Sequence, residues 1–154
     1  MSISNELFYR LLHSSEPSVM AVAKHLRAEG VEITHVEDGT SDGPDNGDIV
    51  TPLGTYEVKQ VSRHFTGLRD WPFRTQFIVD HRRHFIDTPA GWAPKGDCIG
   101  YYCVNPALTH YGFVPRATIE DDGWLQEVFD TVHQERRPQI MVKPTQVVWG
   151  ELRG

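Results

Sequence analysis

The sequence lacks the long apolar runs and the cysteine patterns that mark several classes of protein. No stretch approaches the roughly 20 consecutive apolar residues of a membrane-spanning helix, and residues 1–10 are too polar for a signal peptide. We therefore expect no membrane span and a cytoplasmic location. The two cysteines, Cys98 and Cys103, have neither metal-ligand spacing nor further cysteines to join, which predicts reduced thiols in the core.

Motifs that would identify other enzyme classes are also missing. The chain has no Gly-rich phosphate loop, no Gly-x-Ser-x-Gly nucleophile elbow, no paired Cys-x-x-Cys and no internal repeat. These absences argue against nucleotide hydrolases, serine hydrolases and zinc ribbons. The histidines of His81-Arg-Arg-His84 lack the spacing and the glutamate of a metalloprotease-like site, and the aspartates of residues 37–47 lack the spacing of a calcium-binding EF-hand loop.

Composition indicates one globular domain, residues 1–154, with 39% hydrophobic and 23% charged residues. A net charge of −6 argues against a simple basic nucleic-acid binder. The charge is unevenly spread, however, because residues 59–84 contain six Lys or Arg and two Asp, a formal charge of +4. Such a stretch suits contacts with phosphates, since each basic side chain near a nucleic-acid backbone adds salt-sensitive affinity.

The most informative stretch is residues 48–60, which read Asp-Ile-Val-Thr-Pro-Leu-Gly-Thr-Tyr-Glu-Val-Lys-Gln. β-Branched and aromatic residues on both sides of a Pro-Leu-Gly turn predict a β-hairpin. Because alternate side chains of a strand share a face, Glu57 and Lys59 should point to the same side. A two-residue loop at Leu53-Gly54 would place Asp48 opposite Lys59, on that same face. A three-residue loop would turn Asp48 to the other side.

Two carboxylates and a lysine on one sheet face suit metal-assisted hydrolysis of a phosphodiester. Carboxylate oxygens are ligands that Mg²⁺ prefers, and a bound ion would polarise the phosphate and lower the pKa of a bound water. Lys59 could orient that water or neutralise developing charge. A Glu-x-Lys sequence in a strand is also common as a solvated face with two exposed charges, so this alternative stays open.

Gly47-Asp48-Ile49, a turn and then Glu57-Val58-Lys59-Gln60 resemble the PD-(D/E)xK nuclease superfamily, which has the restriction-endonuclease-like fold. The resemblance implies an α/β protein with a mixed β-sheet flanked by helices, in the order αβββαβ. It also implies a Mg²⁺- or Mn²⁺-dependent nuclease that hydrolyses DNA. A literal Pro-Asp occurs at Pro44-Asp45, so Asp45 is the alternative to Asp48, which runs directly into an apolar strand.

The resemblance also implies roles for individual residues. Asp48 and Glu57 would hold the metal, the Val58 carbonyl would complete its shell, and Lys59 would assist the attacking water. In this family a glutamate on the first helix often helps to hold the metal, and Glu6 is the best-placed match. Acidic residues are favoured at helix starts by the helix dipole as well, so Glu6 has an ordinary structural explanation too.

Periodicity and capping residues predict the other elements. Before the hairpin we expect a helix over residues 4–13 capped by Ser4, a second helix from Ser15 to Gly30, a strand over 31–36 with His35 on the face of Ile33, and a polar loop over 37–47. After the hairpin we expect a loop over 63–73 that packs aromatic residues on the sheet, a helix over 75–86, strands over 97–105 and 110–115, a helix over 124–134, and short extended segments at 141–143 and 146–149.

The predicted nuclease core covers about residues 4–115, and residues 116–154 are a C-terminal addition. The candidate contacts with DNA phosphates are Arg63, Arg69, Arg74, Arg82 and Arg83. One alternative is a catalytically inactive nuclease-like module that binds nucleic acid or a protein partner. Another is a small-ligand protein or an unrelated α/β enzyme with an exposed Glu-Val-Lys strand. Cutting both strands of a duplex would suit a homodimer, which the sequence leaves open.

Overall fold

The structure is a computed structural model that describes residues 3–14, 16–37, 48–130 and 134–154. The helices of these ranges are α1 (Asn5–Ser14), α2 (Pro17–Ala28) and α3 (Arg116–Asp122). The strands are β1 (His35–Val36), β2 (Ile49–Thr51), β3 (Gly54–Gln60), β4 (Phe77–His81), β5 (Phe85–Thr88), β6 (Gly91–Pro94), β7 (Cys98–Val104), β8 (His110–Pro115), β9 (Trp124–Asp130), β10 (Glu135–Val142) and β11 (Val148–Glu151).

A mixed six-stranded sheet forms the centre of the fold, with strand order β1-β2-β3-β7-β8-β11. Strands β3 and β7 run parallel, whereas the other neighbouring strands are antiparallel. A second sheet has the order β4-β10-β9, and β5 and β6 form a separate hairpin. The prediction of an α/β protein with a mixed sheet is confirmed at this level. Residues 116–154 supply β11 to the main sheet and β9 and β10 to the second sheet.

The main sheet is covered on both faces. On one face, α1 and α2 pack on Val58, Tyr102 and Val104 in a helix-side core. On the other face, Tyr101 and Cys103 contribute to a core shared with β4, β5, β10 and α3. Alternation along β3 and β7 therefore sends successive side chains into different layers, because the side-chain period of a strand is two. Cys98 and Cys103 are buried free thiols, as predicted.

Local signals explain the two leading helices. The Ser4 hydroxyl accepts a hydrogen bond from the Leu7 N–H at 3.2 Å, so it caps α1 as predicted. Ser15, the predicted cap of the second helix, lies outside the described residues, and α2 starts at Pro17 after an extended Glu16. The following strand is shorter than predicted, with only His35–Val36 in β1. The predicted common face of Ile33 and His35 was also wrong, because Ile33 and Val36 are buried whereas His35 is exposed.

The predicted helix over residues 75–86 is wrong, since the segment forms β4, a 3-10 turn at Arg82–His84 and β5. Phe77 and Val79 are buried while Ile78 between them is 39% exposed, which is the alternation of a strand. The apolar spacing that suggested a helix fits both structures. Pairing of β4 with β10 decides the outcome, because that partner satisfies the backbone of β4.

The predicted helix over residues 124–134 is also wrong for the residues of that range that the structure describes, 124–130 and 134. Residues Trp124–Asp130 form β9, which pairs with β10 along its whole length. The side chains of β9 alternate between half-buried and exposed positions. Its partner strand β10 lies later in the chain, and the periodicity of residues 124–134 gives no information about that pairing. Among the helices of the described ranges, none is long and apolar enough to cross a membrane.

Candidate functional site

The β2–β3 hairpin determines which side chains meet at the candidate site. Its register pairs Val50 with Thr55 and Thr51 with Gly54, so the two-residue loop is Pro52-Leu53. The predicted loop at Leu53-Gly54, and with it the predicted pairing, was therefore wrong. The register differs from the prediction by two residues, and an even shift keeps every side chain on its face. Continuation of the observed register beyond Ile49 places Asp48 opposite Glu57.

Gly54 makes this turn possible. Its φ of +143° is a backbone conformation that side-chain-bearing residues rarely adopt, and a Cβ at this position would lie 2.5 Å from the Asp97 carbonyl oxygen. The Thr51 hydroxyl donates a hydrogen bond to the Gly54 carbonyl at 2.7 Å and accepts one from the Leu53 N–H at 3.2 Å. The Thr51 hydroxyl thus closes the turn, and the close approach of residue 54 to Asp97 leaves no room for a side chain there.

Asp48 lies immediately before β2 and reaches across to β3. Its Oδ2 accepts a hydrogen bond from the Val58 N–H at 2.8 Å. Asp48 is also joined to Glu57 by a side-chain hydrogen bond. The two carboxyl groups therefore share one site at the start of the hairpin.

Burial and mutual repulsion make this pair unusual. Burial raises the pKa of Glu57 from 4.5 to about 8, and the neighbouring Asp48 carboxylate adds to the effect. Burial also raises the pKa of Asp48, although the hydrogen bond from the Val58 N–H opposes that shift. Because the pKa values of both groups are raised, that of Glu57 to about 8, protonation of the pair is favoured near neutral pH, and one proton between the two carboxyl groups is what their hydrogen bond requires.

Lys59 follows on the same face of β3. Its charge lowers the pKa of Glu57, against the larger effect of burial. Its Nζ lies 3.4 Å from Oδ1 of Asp80 on β4, and its side chain is 39% exposed. The structure thus brings together all three side chains of the predicted motif and adds a third carboxylate, Asp80, from the facing sheet.

Asp80 is the site residue that the sequence did not reveal. Its side chain is only 4% exposed, and it accepts a hydrogen bond from Nδ1 of His84 at 2.8 Å. The His81 N–H donates to the same carboxylate at 2.8 Å, and the Tyr101 hydroxyl contacts it as well. Burial acts to raise the pKa of Asp80, but the His84 hydrogen bond and the Lys59 charge outweigh it, so this pKa lies below its ordinary value.

A β-bulge explains why no sequence pattern points to Asp80. In the pairing of β4 with β10, Asp80 faces Ile140 and Ile78 faces Met141, which leaves Val79 as an extra residue. Val79 and Asp80 are consequently both buried. Strict alternation from Phe77 would have turned Asp80 towards solvent even if the strand had been predicted.

Other predicted site residues lie away from this cluster or outside the described residues. Glu6 is exposed in the first turn of α1, whose packing partners are α2 and β1. Among the described residues, no hydrogen bond or ion pair joins Glu6 to Asp48, Glu57 or Lys59. Asp45, the alternative to Asp48, lies outside the described residues.

The five candidate arginines are all exposed. Arg82 and Arg83 lie in the turn that carries His84, and the Arg83 Nε donates a hydrogen bond to His84 Nε2 at 3.3 Å. The Arg82 guanidinium lies 5.1 Å from the centre of the Trp92 ring, and the Arg63 guanidinium lies 5.6 Å from that of Phe73. Arg82 and Arg83 are thus close in sequence and structure to the Asp80 network.

The donor chemistry of the site fits a divalent cation only in part. Within the described ranges, no group of three or more His, Cys, Asp or Glu side chains is arranged to hold a metal ion. Asp48 and Glu57 do provide two adjacent carboxyl groups, the ligand type that Mg²⁺ and Mn²⁺ prefer. A cation bound between the two carboxyl groups would take the place of their shared proton and would lower the repulsion between them in the same way.

No model of a known protein family, no curated protein and no solved structure matches the chain. Its function must therefore be inferred from the geometry of its own residues.

Proposed function

We propose that the protein is a Mg²⁺- or Mn²⁺-dependent nuclease that hydrolyses DNA phosphodiester bonds. The observation that carries the proposal is the hydrogen-bonded Asp48–Glu57 pair, with the pKa of Glu57 raised to about 8 and Lys59 next on the same face. Strongly perturbed carboxyl groups beside a lysine are typical of sites that bind cations or transfer protons. The arrangement agrees with the motif resemblance of residues 47–60.

Asp48 and Glu57 would hold the metal through their carboxylate oxygens. The Val58 carbonyl is a third oxygen donor on the same side, because the N–H and C=O of one strand residue point towards the same neighbour and the Val58 N–H points at Asp48. Strand β2 begins at Ile49, directly after Asp48. Three oxygens would then converge, and solvent or substrate would complete the shell.

When bound, the metal would polarise the phosphate and make a bound water more acidic. The residues of the chain account for the rest of the chemistry. To hold the ion, Asp48 and Glu57 would both be ionised, and the proton between them would pass to solvent. Lys59 places an ammonium group beside this pair, where it can donate a hydrogen bond to the water or to a phosphate oxygen and stabilise the charge that develops.

The order of elements supports the proposal to a limited extent. Helices precede the hairpin, and β7 runs parallel to β3 and is followed by the antiparallel β8. The helix that the αβββαβ order places between β3 and β7 is missing, because the described segment between them contains β4, β5, β6 and 3-10 turns instead. Asp80 and His84 come from that segment, so the strands and turns that stand in place of the expected helix contribute residues to the site.

Cleavage of supercoiled plasmid and single-stranded DNA at low salt, with Mg²⁺ or Mn²⁺, tests the proposal. We expect the wild-type protein to cut, and Asp48→Ala and Lys59→Ala to reduce the rate at least about 100-fold. The matched controls are Asp121→Ala and Lys24→Ala, which remove exposed charges on α3 and α2 and should cut normally. Equal cleavage by all five proteins would show that another site or a contaminant is responsible, and no cleavage by any would contradict the proposal.

A second candidate is a nucleic-acid-binding module without catalysis. It is favoured by the donor set, because within the described ranges no third His, Cys, Asp or Glu side chain joins Asp48 and Glu57 to hold a metal. In such a module, DNA binding should survive Lys59→Ala, and neither metal should support cleavage. Cleavage and binding assays with the same variants separate the two candidates, because only the enzyme has a cleavage activity to lose in Lys59→Ala.

A further inference from the structure

The Lys59 ammonium has a flexible stem but a fixed partner. A lysine side chain carries about 2 kcal/mol of rotamer entropy, so an exposed lysine samples many positions. Lys59 is more than one third exposed, yet its Nζ lies beside a carboxylate that is almost completely buried. Because the buried partner already restricts the rotamers of Lys59, the side chain loses less conformational entropy when it acts on a substrate.

The Asp80 carboxylate is itself fixed by donors from three elements. His84 Nδ1 comes from the turn after β4, the Tyr101 hydroxyl comes from β7, and the His81 N–H comes from β4. Tyr101 is 2% exposed and stacks on Phe85 at 5.7 Å between ring centres, so its hydroxyl has little room to move. His84 Nε2 accepts from Arg83, which leaves Nδ1 as the protonated nitrogen that donates to Asp80.

We propose that Asp80 is a positioning residue for Lys59, which it holds beside Glu57, and that His84 fixes Asp80 in turn. The consequence for cleavage rests on the proposed nuclease function, whereas the position of the lysine is a property of the protein alone. Asp80 acts through the ammonium group of Lys59.

A positioning role predicts effects of opposite direction on binding and on cleavage. Asp80 is a negative charge near a site that must accept phosphate, so Asp80→Asn removes a repulsion and should leave DNA affinity equal or higher. The same change releases Lys59, and a misplaced catalytic group can cost about 100-fold in rate. General damage to the fold would lower affinity and rate together.

Lysine-selective NMR tests the position of Lys59 without metal or DNA, and the chain has only four lysines. We expect one slowly exchanging ammonium signal near neutral pH, assigned by its loss in Lys59→Arg. Asp80→Asn should abolish it, whereas Asp87→Asn, which changes an exposed carboxylate on β5, should leave it unchanged. An unchanged Lys59 signal in Asp80→Asn would overturn the proposal.

Cleavage and binding assays on the same variants complete the test. Asp80→Asn should slow single-turnover cleavage about 10- to 100-fold with equal or tighter DNA binding in EDTA, and Asp87→Asn should change neither. If wild type cuts and Asp80→Asn cuts equally fast, the proposal is overturned while the nuclease function stands. If wild type does not cut but the Lys59 signal requires Asp80, the nuclease function fails and the positioning of Lys59 is supported.

His84→Ala provides a second variant in case Asp80→Asn does not fold. The His84 side chain is about one third exposed, and the change removes one hydrogen-bond donor while leaving the Asp80 carboxylate in place. We expect the Lys59 ammonium to exchange faster and cleavage to slow by less than in Asp80→Asn. No change in the exchange rate would overturn the assignment of His84 as the residue that fixes Asp80.

Discussion

The proton shared by Asp48 and Glu57 predicts a pH-dependent stabilisation of Glu57→Gln in the absence of metal. Glutamine has nearly the shape of a protonated glutamic acid and can still donate a hydrogen bond to Asp48. Below the unfolded-state pKa of about 4.5, wild-type Glu57 is protonated in both the folded and unfolded states. The variant and the wild-type protein should therefore differ little in unfolding free energy at about pH 4.5.

The difference should grow as the pH rises. Between about pH 4.5 and pH 8, folded Glu57 keeps its proton while unfolded Glu57 loses it, so the folded state binds more protons. The unfolding free energy of the wild-type protein therefore falls as the pH rises through this window. Glu57→Gln has no carboxyl group at this position, so its unfolding free energy does not fall for this reason. Above about pH 8 the difference should be constant.

The magnitude follows from the raised pKa. Each tenfold change in an equilibrium is worth about 1.4 kcal/mol, so a rise from 4.5 to about 8 sets an upper bound of roughly 5 kcal/mol. Relaxation of the site and sharing of the proton with Asp48 reduce this bound, and we expect a gain on the order of 2 kcal/mol at pH 8.

Urea unfolding in EDTA at pH 5 and pH 8 measures the effect. Glu32→Gln is the matched control because Glu32 is exposed, and its unfolding free energy should follow that of wild type at both values. The reasoning about the shared proton would be refuted if Glu57→Gln were less stable than wild type at pH 8. It would also be refuted if the difference in unfolding free energy between the two proteins were the same at both pH values.

Three further predictions concern the turn, the thiols and the basic turn after β4. Gly54→Ala should lower the unfolding free energy, measured by urea titration, by about 2 kcal/mol, because the added Cβ would clash with the Asp97 carbonyl. Gly67→Ala is the control: its added Cβ would have no atom within 4 Å, so the unfolding free energy should hardly change. The two buried cysteine thiols, each with a pKa raised by burial to about 12, should not react with a thiol reagent until the protein unfolds. Arg83→Ala should reduce the salt dependence of DNA binding by about one phosphate contact. Arg10→Ala, which removes an exposed charge on α1, should leave that dependence unchanged. An unchanged salt dependence in Arg83→Ala would remove Arg83 from the interface.

The hairpin shows what the sequence was able to predict about the site. The common face of Asp48, Glu57 and Lys59 depends only on whether the register is odd or even, so an error of two residues left it intact. The identity of the loop was not predictable in the same way. It depends on the close approach of Gly54 to the Asp97 carbonyl, a contact between residues far apart in the chain.

Asp80 shows what the sequence could not predict. Its burial depends on a bulge at Val79 and on the pairing of β4 with β10, about 60 residues later in the chain. Local apolar spacing over residues 75–86 fits a helix as well as a strand, and only the long-range partner distinguishes them. The same ambiguity produced the wrong helix over residues 124–134.

Calorimetric titration of Mn²⁺ at pH 7, in two buffers with different ionisation enthalpies, tests the central claim most directly. Because the pKa of Glu57 is raised to about 8, the Asp48–Glu57 pair should release about one proton for each ion that binds. Release should fall as the pH approaches 9, and Asp48→Asn should abolish binding. Binding without proton release, or no difference between wild type and Asp48→Asn, would contradict the assignment of this pair as the metal site.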